Sequence, residues 1–120
     1  MNHKIKSIRP FIGAKDFEVS RSFYRDLGFE EVVLESNFSV FKSGETAFYL
    51  QDYYDKSWIE NTMIFIEVDD ADRHYNELLA LNLTEKYGVK LTPIRYLDWG
   101  SECFLHDPSG VLWHFGTFKK

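Results

Sequence analysis

The amino-acid sequence points to an α+β protein in which two βαβββ units build a curved mixed sheet around a cleft. Two patterns carry that expectation. Apolar spacing switches between the two-residue period of strands and the roughly 3.6-residue period of helices, in the order strand, helix, three strands, and then cycles again. Landmarks recur with the cycle: Asp16 matches Asp70 ahead of each helix, and Ser43-Gly44 matches Ser109-Gly110 in the last hairpin of each unit. One domain over 1–120 is expected, with the first repeat at about 5–52 and the second at about 62–118.

In chain order, residues 5–14 alternate loosely and read as a strand. Pro10 lacks an N–H, so this strand belongs at an edge or in an exchanged arm. Asp16 is placed to cap a helix over 17–27, whose Phe17, Phe23, Tyr24 and Leu27 share a face, and Gly28 follows as its stop. Strands are predicted at 29–35, 37–42 and 46–52, the last two joined at Ser43-Gly44. Residues 53–60 read as a polar and aromatic connector. The second cycle has a strand at 62–68, an Asp69-Asp70 cap, and a helix over 71–81 carrying Ala71, Tyr75, Leu78 and Leu79. Residues 82–90 read as a loop containing Gly88, and an insertion near 82–98 lengthens this unit. Strands at 91–97, 101–106 and 111–118 complete it, with Asp107-Pro108-Ser109-Gly110 as the turn.

Composition narrows the function classes. The 120 residues are 44% hydrophobic and 28% charged, as in a soluble globular protein. Eleven Phe, seven Tyr and three Trp supply core volume and flat surfaces for stacking. The net charge of −5 argues against nucleic acid, which needs a basic stripe. It is an ordinary solubility charge that would also suit a cationic ligand. Cys103 is the one cysteine, so an internal disulfide and a multi-cysteine zinc site are both ruled out; its apolar neighbours predict a buried, inert thiol. No signal-peptide pattern and no long apolar run occur, so a cytoplasmic protein without membrane contact is expected. Phosphate loops and GxSxG-type nucleophile motifs are missing from the sequence.

Several segments in this order resemble a known family. They are Ala14-Lys15-Asp16, the run Phe23-Tyr24-Arg25-Asp26-Leu27-Gly28-Phe29, Trp99-Gly100, and Asp107-Pro108-Ser109-Gly110 followed by His114-Phe115. With the duplicated βαβββ pattern, they resemble the vicinal-oxygen-chelate superfamily of glyoxalases, bleomycin-resistance proteins and dioxygenases, and most of all its bleomycin-resistance group. The resemblance implies a homodimer with clefts at the subunit interface, in which the N-terminal strand can be exchanged. It also implies a small-molecule partner, bleomycin-like or another flat cationic compound, sequestered without chemistry.

The superfamily's enzymes hold a divalent metal at four repeat-related positions. Counted from Asp16, Gly44, Asp70 and Gly110, these fall on Arg9, Phe48, Met63 and His114. Arg9 stays protonated, Phe48 has no donor, and the Met63 thioether is too soft for such ions, which leaves His114. A slip of one residue brings Tyr49 or Gln51 into play, with Glu67 nearby, and still assembles no set of three. No metal, cofactor or catalytic residue is therefore assigned. The enzymatic alternatives are a metal-dependent glyoxalase- or dioxygenase-type lyase or oxidoreductase, and a metal-free lyase or isomerase with His114 as base.

Ligand-binding candidates are Arg9, Phe38, Tyr49, Trp58, Trp99, Gly100 and His114. The resemblance puts Trp99-Gly100 at the cleft mouth, where the ring either faces ligand or packs the hairpin. Phe38, on a central strand, fits the core as well as a ligand platform. Trp58 shares the polar connector with Tyr53 and Tyr54, which suits an exposed or interface position. His114 reads as a hydrogen-bonded cleft histidine. Arg9 beside it would be a buried cation, with Glu102 or Asp98 to pair with. His3, His74 and His106 read as surface residues.

Overall fold

The computed structural model describes residues 2–120. Its first unit runs β1 (Phe11–Gly13), α1 (Phe17–Asp26), β2 (Glu30–Glu35), β3 (Phe38–Ser43) and β4 (Thr46–Gln51). After α2 (Lys56–Glu60), the second unit runs β5 (Met63–Glu67), α3 (Ala71–Ala80), α4 (Leu83–Tyr87), β6 (Leu91–Leu97), β7 (Gly100–His106) and β8 (Leu112–Phe118). The βαβββ order thus appears twice, with α2 and α4 added. Among the described residues, no helix is long and apolar enough to cross a membrane.

The capping chemistry works as the sequence implied. Asp16 accepts a hydrogen bond from the Val19 amide and Asp70 one from the Arg73 amide, each using a donor that the first helical turn leaves free. Gly28 ends α1 with φ at 110°, a conformation that costs glycine least.

Each unit makes a four-stranded mixed sheet, ordered β1-β4-β3-β2 and β5-β8-β7-β6. The first strand of each pairs in parallel with the last, placing Phe11 beside Tyr49 and Phe65 beside His114. Strand alternation then sorts the side chains onto two faces. The inner faces carry Ile12, Phe41, Phe48 and Leu50 in the first sheet and Cys103, Leu105, Trp113 and Phe115 in the second, all buried. They share one core with Phe23 and Tyr24 of α1. Trp113 joins the halves: its indole N–H donates to the Tyr24 hydroxyl at 2.9 Å, and its ring lies 5.2 Å from that of Phe48. The outer faces of both sheets are left open.

Three expectations need correction. The strand expected over 5–14 is confined to Phe11–Gly13; residues 2–10 form an exposed arm whose last carbonyl, on Pro10, accepts from the Tyr49 amide. Pro10 cannot donate to a ladder and the charged run before it gains nothing from burial. The connector holds α2, capped by Asp55, and the loop at 82–90 holds α4, bounded by Asn82 and Gly88 in left-handed conformation. Both helices span five residues, too few to show a helical period.

Candidate functional site

The outer face of the second sheet gathers the groups best suited to hold a ligand. Antiparallel pairing sets Phe104 beside His114, and parallel pairing sets Phe65 on its other side. Phe104 meets the imidazole edge-on, with centroids 4.7 Å apart; Phe65 lies tilted at 6.3 Å. Phe65 continues the surface toward Phe118 at 5.7 Å and Trp99 at 6.2 Å. Gly116 makes this possible, since a Cβ there would come within 2.6 Å of the Phe65 ring. Gly100 is equally constrained: its Cβ would sit 2.0 Å from the Thr117 carbonyl oxygen, so its backbone lies tight against β8 and sets where Trp99 emerges. Phe65, Trp99 and Phe118 remain 43%, 38% and 49% exposed, which large rings seldom are without a purpose.

A charged network lies in the floor of this face. Glu102 is buried, and both of its oxygens are engaged. Arg95 donates to Oε2 from Nη2 at 2.8 Å and Nε at 3.2 Å, and His114 Nδ1 lies 3.0 Å from Oε1. Burial works to raise the Glu102 pKa, but the hydrogen bonds from Arg95 and His114 outweigh it and hold the carboxyl below its usual range. The Arg95 guanidinium also stacks over Phe104 at 4.9 Å.

The outer face of the first sheet carries a second aromatic platform. Phe11, Phe38 and Tyr49 form a stack, with Tyr49 4.9 Å from Phe11 and 5.1 Å from Phe38. Arg9 lies over the Tyr49 ring at 5.8 Å.

The sequence profile of the Glyoxalase/Bleomycin resistance protein/Dioxygenase superfamily matches residues 4–115. The chain belongs to this superfamily. Solved structures agree on the fold of these superfamily members. A bleomycin-binding protein from bleomycin-producing Streptomyces verticillus, complexed with copper(II)-bleomycin, is similar with a TM-score of 0.80 and 25% identity over 97% of this chain and 98% of that one. A second bleomycin-binding protein complexed with bleomycin gives 0.79 and 18% over 96% and 100%. Lactoylglutathione lyase from Agrobacterium tumefaciens gives 0.68 and 17% over 95% of each chain. No curated protein matches the sequence.

The superfamily's enzymes invite a test of the donor set for a metal. Strand parity corrects one expected position: Phe48 faces the core and Tyr49 takes its place outside, as the repeat partner of His114. The outward positions are then Arg9, Tyr49, Met63 and His114, an always-charged cation, a phenol, a thioether and one imidazole. That set does not fit a divalent ion, and no group of three or more His, Cys, Asp or Glu side chains converges among the described residues.

The sequence-derived candidates divide between the two faces. Trp99, Gly100 and His114 come together on the second sheet; Phe38, Tyr49 and Arg9 come together on the first. Arg9 is exposed on Tyr49, not buried beside His114, and Glu102 pairs with Arg95 and His114 instead. Trp58 sits in α2 with its ring 5.9 Å from that of Tyr53, and it is partly buried against the core rather than exposed. His74 is half-buried rather than fully exposed: it stacks on Phe115 at 4.8 Å, and burial lowers its pKa. His106 is partly buried too, and its Nδ1 has no hydrogen-bond partner. Phe11, Phe65, Phe104, Phe118 and Arg95 were not singled out from the sequence. Their signal was alternation with a known outward residue, which needs the register first.

Proposed function

We propose that this chain is a small-molecule binding protein that holds a flat, cationic ligand, bleomycin-like in character, without a metal and without transforming it. The observation that carries this reading is the run Trp99–Phe118–Phe65 leading to His114, a set of rings that pack on one another and stay part-exposed. Stacking and cation–π contact are what such a surface offers. Likeness to two proteins solved with bleomycin supports this class of ligand.

In this reading two copies associate to close the cleft, the Phe11–Phe38–Tyr49 platform of one chain covering the Phe65–Trp99–Phe118 platform of the other. The exposed 2–10 arm is free to reach across and be exchanged. A cytoplasmic location, compatible with a reduced and buried Cys103, completes the proposal.

Titration of tryptophan fluorescence with bleomycin tests it. Wild-type emission is expected to change saturably at micromolar drug, and the Trp99→Phe variant to lose most of that change. An unchanged spectrum in the wild type contradicts the ligand assignment. A second reading, a metal-free lyase or isomerase, draws on the Glu102–His114 contact, which resembles an oriented base. Under that reading His114→Ala abolishes turnover of a small substrate; under ours it only weakens binding.

A further inference from the structure

We infer that Glu102 is a positioning residue: it keeps the His114 proton on Nδ1, so that Nε2 presents a lone pair to an N–H donor carried by the flat ligand. This rests on the binding reading above and narrows the ligand to planar heteroaromatics bearing a ring N–H. Glu102 is 4% exposed and its two oxygens are committed to Arg95 and His114. Arg95 supplies the compensating charge that lets the carboxylate stay ionised at this depth. An ionised carboxylate only accepts hydrogen bonds. The 3.0 Å contact therefore requires a proton on Nδ1, and a neutral imidazole has no second one for Nε2.

Nε2 makes no hydrogen bond within the described residues. It is not sequestered either, because the one buried side-chain nitrogen or oxygen without a partner is Nδ1 of His106. The walls beside it are the Phe104 and Phe65 rings, which offer no conventional hydrogen-bonding group. A partner for Nε2 must come from beyond the described residues and must be a donor. Phe65 also abuts Trp99 and Phe118, so a flat ring stacked there brings its edge toward the imidazole.

Nitrogen-15 NMR of the ligand-free protein reads the tautomer directly, at a pH where the ring is neutral. The expected result is a protonated Nδ1 and an unprotonated Nε2 for His114. A predominant Nε2–H form overturns the proposal. In Glu102→Gln the amide can donate as well as accept, so Nε2–H is expected to appear; circular dichroism establishes that the variant folds, and if it does not, the wild-type tautomer alone decides. Benzimidazole and 1-methylbenzimidazole then supply matched flat probes that differ in one donor. Benzimidazole is expected to shift the Nε2 resonance and to bind roughly five- to tenfold tighter, the value of about one hydrogen bond. That preference is expected to collapse in Glu102→Gln. Equal binding of both probes refutes the donor requirement while leaving the flat-ligand reading intact. Binding of neither refutes it too, and bleomycin titration then reports separately on the wider reading.

Discussion

Single side chains decide whether the aromatic surface exists. Gly116 is the clearest case, because its missing Cβ is what lets Phe65 lie flat on the second sheet. Gly116→Ala is expected to turn Phe65 away, shift Trp99 emission and weaken ligand binding about fivefold, the scale of one lost aromatic contact; fluorescence titration checks this. Glu31 shows the same economy in the scaffold. Burial works to raise its pKa, but hydrogen bonds from Arg21, Ser39 and Arg25 prevail and bring it from 4.5 down to about 2. Because the folded value is depressed, the stabilisation is fully present above the unfolded-state value of 4.5 and is lost as pH falls toward 2. Glu31→Gln is expected to cost about 2–3 kcal/mol at neutral pH, with the gap to wild type closing across that acid window in denaturant melts.

At the scale of elements, the turn between β7 and β8 ties the second sheet to α1. Asp107 Oδ1 accepts from the amides of Ser109, Gly110 and Val111, and Oδ2 accepts from the Tyr24 hydroxyl. Asp107→Ala removes the acceptor of two buried donors, the Val111 amide and the Tyr24 hydroxyl, and of two part-buried turn amides, and is expected to lower stability by about 3 kcal/mol, measured by urea unfolding. The same turn explains where the sequence misled. The caps at Asp16 and Asp70 and the hairpin glycines are local signals, so the duplicated order was legible. Strand parity was not. Ser43 pairs with Thr46 across a two-residue turn in which Gly44 comes first, whereas Gly110 comes last in the longer second turn. Counting from glycine therefore slips by one residue in the first unit, which exchanges Phe48 for Tyr49. The helices α2 and α4 escaped for a different reason: five residues make little more than one turn and have no period to read.

For the whole molecule, the question is what covers two open aromatic faces. Our reading is a second copy. Sedimentation velocity is expected to show a dimer, and Phe11→Asp, which places a charge on the first platform, is expected to yield monomers that no longer bind ligand; a wild-type monomer at every concentration argues against a shared cleft. The inner cavity of about 510 Å³ between the arm and the two sheets, walled by Phe48, Ile64 and Trp113, offers a competing location for a small molecule. Amide chemical-shift mapping during bleomycin titration separates the two places. Our account predicts the largest perturbations at Trp99, Gly100, Phe104, His114 and Phe118. Perturbations confined to Lys6, Ser7, Phe48 and Trp113, or none anywhere, would contradict it.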